Sequence, residues 1–131
     1  MIDIKSLIKI EDKRGNLTFI QNGSGIPFVP RRVFWTFDVP SGASRGGHAY
    51  LNQQELIIAI NGSFEVVVTQ LDGVQKRHFL NRSDQAIMLP PLTWRSMVNF
   101  STNAMGLHLS DSVFDESDYI RNFETFRSLE Q

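Results

Sequence analysis

The chain has 131 residues, 41% of them hydrophobic and 21% charged, a balance that suits one globular domain spanning residues 1–131 with a core of its own. Thirteen basic against fourteen acidic side chains leave a formal net charge of −1, so no global field favours nucleic acid or an anionic membrane as a partner. The lack of cysteine removes disulfides, thiolate metal sites and a cysteine nucleophile.

The opening residues Met1-Ile2-Asp3-Ile4-Lys5 have neither the basic stretch nor the apolar run of a signal peptide. No apolar run reaches the roughly 20 residues that cross a bilayer, and the expectation is a cytoplasmic protein. In that setting Asn16, Asn61, Asn81 and Asn99, which fit the Asn-x-Ser/Thr glycosylation pattern, are turn residues.

Short apolar runs separated by frequent turn signals follow one another along the chain, which is the all-β pattern. Residues 2–10 predict an opening strand, and Asp12-Lys13-Arg14-Gly15-Asn16 a turn into the alternating Leu17-Thr18-Phe19-Ile20. Two glycines and two prolines make residues 22–30 a loop before a strand over 31–39. Residues 56–60 and 63–70 are apolar runs joined by Asn61-Gly62, which predicts a β-hairpin. Asp72-Gly73 marks another turn; strands are expected over 75–80, 86–89, 94–100 and 105–109, broken by Pro90-Pro91. Only residues 116–129 read as helical, with Tyr119, Ile120, Phe123 and Phe126 at helical spacing. So many short strands in a small domain imply a barrel or a two-sheet sandwich.

Chemistry concentrates in residues 42–55. Glycines there let the backbone turn tightly and approach a ligand, and the period of two puts His48 and Tyr50 on one strand face. His48 and Tyr50 with Glu55 and Arg95 supply an imidazole, a phenol, a carboxylate and a guanidinium, a set suited to metal-free proton transfer at carbon. Two roles stay open for two of them. Tyr50 is either a barrel-filling aromatic or a catalytic phenol. Arg95 either stabilises developing negative charge or forms a structural bridge with Glu55 or Asp84. His78 and His108 read as satisfied structural histidines outside the site.

The spacing Gly42, five residues, His48, one, Tyr50, four, Glu55, six, Gly62 resembles the first motif of the cupin superfamily, with tyrosine for the second histidine. Pro90, one residue, Leu92, two, Arg95, three, Asn99 resembles the second motif, with leucine for glycine and arginine for histidine. The resemblance implies a double-stranded β-helix, or jelly roll, with both motifs at one end of the barrel, and the helical spacing of residues 116–129 adds a short C-terminal helix. Metal-binding cupins draw ligands from those motif positions; with Tyr50 and Arg95 standing there, no metal and no other cofactor is expected.

A narrower resemblance covers nearly the whole chain in order. Arg14-Gly15-Asn16-Leu17, Ile26-Pro27-Phe28, Arg32-Val33-Phe34, Arg45-Gly46-Gly47-His48-Ala49, Gly62-Ser63-Phe64, Leu89-Pro90-Pro91-Leu92-Thr93-Trp94-Arg95 and Asp115-Glu116-Ser117-Asp118-Tyr119-Ile120-Arg121 resemble the WxcM-like nucleotide-sugar 3,4-ketoisomerases, which act on dTDP-4-keto-6-deoxyglucose. The family's His-Ala-His is His48-Ala49-Tyr50 here. The implied reaction moves a ketone from C4 to C3 through an enediolate, with His48, Tyr50 and Arg95 as the catalytic candidates. Arg14, Arg32, Arg45, Glu55 and Trp94 are the candidates for holding a dTDP-linked keto sugar, since arginine forks suit phosphate and aromatic faces suit a base. A 3,5-epimerase of a nucleotide sugar and a non-catalytic binding cupin are the competing readings. The apolar Val33-Phe34-Trp35-Thr36-Phe37 segment would be costly as a bare sheet edge, and a homodimer is expected, as the resemblance also implies.

Overall fold

The computed structural model describes residues 2–130. Two five-stranded antiparallel sheets face each other. The first, in spatial order, contains β1 (Ile4–Ser6), β9 (Gln85–Leu89), β6 (Glu55–Asn61), β11 (Met105–Ser110) and β4 (Arg32–Thr36). The second contains β12 (Tyr119–Ile120), β5 (Arg45–Tyr50), β10 (Trp94–Val98), β7 (Phe64–Thr69) and β8 (Gln75–Leu80). A separate hairpin pairs β2 (Ile8–Ile10) with β3 (Leu17–Phe19), and one short helix, α1 (Phe123–Arg127), lies near the C-terminus. This is the jelly roll with a short C-terminal helix.

Strand alternation explains three apolar layers. Ile57, Ala59, Phe64, Val66, Val68, Leu80, Ile87, Leu89 and Met97 point between the sheets and form the main core. The opposite face of β6, through Leu56 and Ile58, is covered by Leu7, Ile20, Ile26 and Phe28, so the loop rich in glycine and proline packs on the first sheet. β6 is thus buried on both faces, which is why Leu56-Ile57-Ile58-Ala59 is a continuous apolar run and not an alternating one. On the outside of the second sheet Ala49, Trp94 and Ile120 meet Phe126 of α1.

Two expected elements take another form. Asn61-Gly62 is not a hairpin turn. β6 pairs with β9 and β11 while β7 pairs with β10 and β8, so the turn carries the chain from one sheet to the other. Tertiary contacts hold it there: Asn61 Nδ2 donates to Asn103 O at 2.8 Å and Ser63 N to Ser101 Oγ at 2.9 Å. Gly62 has a φ of 64°, and a Cβ on it would come within 2.9 Å of Ala104 Cα. The segment 116–129 is not one helix either. A 3-10 turn, Glu116–Asp118, runs into β12, which pairs with β5, and only then does α1 begin, capped by Asn122 accepting from Thr125 N. The buried Asp118 carboxylate decides this. It accepts from the backbone N–H and side-chain amide of both Asn52 and Gln53 at 2.9–3.2 Å, and that anchor overrides local helical preference. The opening strand is likewise split at the buried Leu7 into β1 and β2.

Candidate active site

At one end of the sandwich the apolar filling gives way to polar side chains around a cavity of about 440 Å3. β5, β6, β10, β11 and β12 each send inward-facing residues to it, and β4 closes one side with Phe34 and Thr36.

The glycine pair in β5 sets the aim of the key histidine. Arg95 of β10 stands opposite His48, but Met97 stands opposite Arg45, so three steps along β5 match two along β10. That is a β-bulge at Gly46-Gly47, and Gly46 takes a φ of 93° that side-chain-bearing residues rarely adopt. Past the bulge His48 and Tyr50 both face inward, their rings at 4.8 Å in an edge-to-face contact. His48 Nε2 is buried and has no hydrogen-bond partner within the protein. Burial, then the charge of Arg95, lowers the His48 pKa to about 4, against the opposing pull of Glu55 and a backbone hydrogen bond at Gly46. The imidazole is therefore neutral at pH 7, and its Nε2 keeps a lone pair or N–H that no protein group engages.

Beneath it lies a buried charged group. Arg95 Nη1 donates to Glu55 Oε1, and Arg95 Nε and Nη2 donate to Thr93 O at 3.3 and 3.2 Å. His108 Nδ1 lies 3.2 Å from Glu55 Oε2, and its Nε2 lies 3.2 Å from Thr36 Oγ1. A carboxylate only accepts, so Nδ1 carries the hydrogen that points to Glu55. Burial alone would push the Glu55 carboxyl up; the Arg95 guanidinium and the His108 hydrogen bond outweigh it and hold the acid well below the usual carboxylate range. Phe34 stacks on His108 at 4.5 Å, with the ring planes 6° apart, and keeps its orientation. Arg95 also lies 4.9 Å from the centre of the Tyr50 ring. Burial, then the Glu55 charge, raises the Tyr50 pKa, so this phenol keeps its proton.

The expected site residues fall into three groups. His48, Tyr50, Glu55 and Arg95 converge on the cavity, and Arg45 stands at its mouth, making no ion pair among the described residues. Of the two bridges open to Arg95, it makes the one to Glu55; Asp84 binds Arg82 and Lys9 elsewhere. Arg32 is behind the cavity, donating to Tyr50 Oη at 3.4 Å, Tyr119 Oη at 3.3 Å and Gln53 Oε1 at 3.0 Å. Trp94 and Arg14 are not brought to the cavity. Trp94 follows the strand alternation to the outer face, next to inward Arg95, and packs edge-on against Phe123 at 5.2 Å. Arg14 sits in the β2–β3 turn with its side chain 89% exposed, paired with Asp12 at 2.7 Å. Conversely, the cavity includes His108, Tyr119 and Arg121, which residue spacing did not single out. His108 is indeed hydrogen-bonded, yet it is part of the site; His78 is on β8, away from it.

A metal ion does not fit this arrangement. The guanidinium of Arg95 stands at the motif position from which metal-binding cupins draw a ligand and already engages Glu55, the one carboxylate that lines the cavity among the described residues. Among the described residues no group of three or more His, Asp or Glu side chains is placed to hold one.

The sandwich topology and the polar constellation at one barrel end define a cupin whose cavity is built for proton chemistry on a small ligand. The chain belongs to the family described as FdtA, WxcM-like, C-terminal, which matches residues 1–131. It is 31% identical over 119 residues to the TDP-4-oxo-6-deoxy-alpha-D-glucose-3,4-oxoisomerase of Aneurinibacillus thermoaerophilus, covering 91% of this chain and 85% of that one. Its fold is similar to that of QdtA, a sugar 3,4-ketoisomerase from Thermoanaerobacterium thermosaccharolyticum solved with TDP, at a TM-score of 0.93 and 30% identity, covering 98% and 93% of the two chains. A histidine-to-asparagine variant of QdtA, solved with TDP-4-keto-6-deoxyglucose, gives a TM-score of 0.94 at 29% identity, with the same coverage of 98% and 93%.

Proposed function

We propose that this protein is a TDP-4-keto-6-deoxyglucose 3,4-ketoisomerase that works by proton transfer without a metal ion. The carrying observation is the unpartnered, buried Nε2 of a neutral His48 at a cavity that also holds a neutral phenol and guanidinium groups. Family membership and the ligands named for the relatives supply the substrate class.

His48 removes the proton at C3, acidified by the adjacent C4 carbonyl, and the C3–H electron pair becomes the C3–C4 double bond of an enediolate. Its conjugate acid returns the proton to C4, and the ketone forms at C3. A depressed pKa makes His48 a weak base in the free protein; the anionic sugar nucleotide opposes that depression when it binds. Arg95 faces the developing enediolate from below. Because Glu55 already neutralises it, Arg95 acts through remaining N–H donors in fixed positions and not as a free charge. Arg45, unpaired at the mouth, suits the diphosphate.

The functional unit is a homodimer. β4 is an edge strand of the first sheet, and Val33 and Trp35 on it and Phe37 just after it are each more than half exposed, an apolar edge that a second copy would cover. Among the described residues no helix is long and apolar enough to cross a membrane.

The test is 1H NMR of TDP-4-keto-6-deoxyglucose incubated with the protein in EDTA. Migration of the carbonyl to C3 is expected. Recovery of unchanged substrate from EDTA, with turnover restored by a divalent metal, would refute the metal-free reading.

A further inference from the structure

The isomerisation moves two protons, one between carbons and one between oxygens, because the O3 hydroxyl becomes a carbonyl as the O4 carbonyl becomes a hydroxyl. His48 accounts for the first. The second needs a group that can both give and take a proton beside O3 and O4.

Two phenols stand near His48. Tyr50 and Tyr119 pair across β5 and β12 with their oxygens 3.3 Å apart. Arg32 donates to both, from Nη1 to Tyr119 Oη at 3.3 Å and from Nη2 to Tyr50 Oη at 3.4 Å. Each phenol has one hydrogen and two lone pairs, so the pair holds one O–H bridging the two oxygens and one O–H to spare. Where the spare hydrogen sits follows from burial. Tyr50 is fully buried, and a hydroxyl hydrogen there with no acceptor would carry the full penalty of an unsatisfied donor. Tyr119 is half-buried and lines the cavity. Tyr50 therefore donates to Tyr119, whose lone pairs are then filled by Tyr50 and Arg32. Tyr119 is left as a donor only, with its hydrogen free for a ligand.

The arrangement is braced from behind. Arg32 Nη2 also donates to Gln53 Oε1 at 3.0 Å, and Gln53 Nε2 donates to Asp118 Oδ2 at 3.0 Å, next to Tyr119 in the chain. The Tyr119 ring lies 5.0 Å from that of His48, so base and donor flank the same small volume.

We propose that Tyr119 is a catalytic residue that carries the proton between the two sugar oxygens, with Tyr50 and Arg32 as the positioning residues that keep it a donor; this rests on the ketoisomerase reading above. As His48 takes the C3 proton, the C4=O4 π pair moves onto O4, and O4 takes the Tyr119 proton. The O3–H proton then passes to the Tyr119 phenolate as the C3=O3 bond forms and C4 takes the proton held by His48. Both side chains return to their starting states.

The test compares Tyr119→Phe, Tyr50→Phe and the double variant with the wild type, reading kcat for TDP-4-keto-6-deoxyglucose and the affinities for that compound and for TDP. Tyr119→Phe keeps the ring and the backbone pairing of β12. It is expected to lower kcat about thirtyfold or more while TDP affinity stays within about twofold. Tyr50→Phe is expected to cost less, and the double variant to be no worse than Tyr119→Phe, because Tyr50 acts through Tyr119. An unchanged kcat in Tyr119→Phe overturns the proposal, and a double variant whose loss is the product of the single losses overturns the role of Tyr50. If the wild type itself forms no isomer, the ketoisomerase reading fails. Tyr119 as the donor to the sugar would then still predict that Tyr119→Phe weakens binding of the keto sugar nucleotide about fivefold relative to TDP; an unchanged ratio of affinities would remove that too.

Discussion

At the scale of single residues, His48 concentrates the electrostatics. Its pKa falls from 6.5 to about 4 because burial and Arg95 both disfavour the imidazolium. Between those values the unfolded chain binds a proton that the folded one does not. The stabilising contribution is therefore complete above pH 6.5 and is lost as the pH falls toward 4. We expect unfolding free energy to drop more steeply over that window in the wild type than in His48→Asn, by up to about 1.4 kcal/mol per pH unit in denaturant titrations. Parallel curves would mean that His48 is not depressed. For kcat/KM, which reports the free enzyme, the acid limb belongs near pH 4, and an acid limb at 6.5 or above would contradict the neutral base. Arg45 is the other informative residue. Removing an unpaired guanidinium that contacts diphosphate costs about 1.5–3 kcal/mol, so Arg45→Met is expected to weaken TDP binding about tenfold or more by calorimetry, and undiminished binding would place the diphosphate elsewhere.

Strand alternation made His48 and Tyr50 legible as a pair on one face of β5, and the motif spacings that resemble the cupins brought in Glu55 and Arg95 from other strands. The same rule applied to Trp94 puts it opposite Arg95, on the outer face. His108 and Tyr119 were not legible that way. They reach the cavity from strands 53 and 69 positions away from their partners Glu55 and Tyr50, and only sheet pairing brings them in.

At the scale of elements, the bulge in β5 is the device that aims the site. Gly46 at a φ of 93° has ordinary van der Waals room for a Cβ, its nearest neighbour being Met97 Cε at 3.5 Å, so the obstacle to a side chain there is backbone strain and not collision. Gly46→Ala is expected to destabilise by about 1–3 kcal/mol and, by relaxing the bulge, to lower turnover by more than its effect on TDP binding. A variant as stable and as active as the wild type would mean that the bulge does not aim His48. The glycines announced tight backbone geometry, but a bulge and a turn look alike in sequence. The turn at Asn61-Gly62 makes the same point from the other side. Its local chemistry suits a hairpin, yet both edges of β6 are already taken by β9 and β11, and so the chain must leave the sheet. In 116–129 the helical spacing of Tyr119, Ile120, Phe123 and Phe126 is real only for the last two, because Asp118 pins the first part to the 51–54 loop and β12 to β5.

At the scale of the whole molecule, the two sheets bury apolar side chains at one end and a hydrogen-bonded charged group at the other. The bare edge of β4 next to that second end is the reason to expect two copies. Sedimentation at micromolar concentration should return twice the 14.9 kDa mass of the chain, and a single 14.9 kDa species would contradict the dimer. The central claim is proton transfer by His48 between C3 and C4 of a keto sugar nucleotide. It is tested most directly by running TDP-4-keto-6-deoxyglucose with the wild type and with His48→Asn in D2O and locating deuterium by NMR. The wild type should form the 3-keto isomer with no deuterium at C5, and with deuterium at C4 only in those turnovers in which the His48 imidazolium exchanges with D2O before returning its proton. His48→Asn should bind TDP but form the isomer at least about a hundredfold more slowly. Deuterium at C3 and C5 with the carbonyl left at C4, or isomerisation by His48→Asn at the wild-type rate, would contradict it.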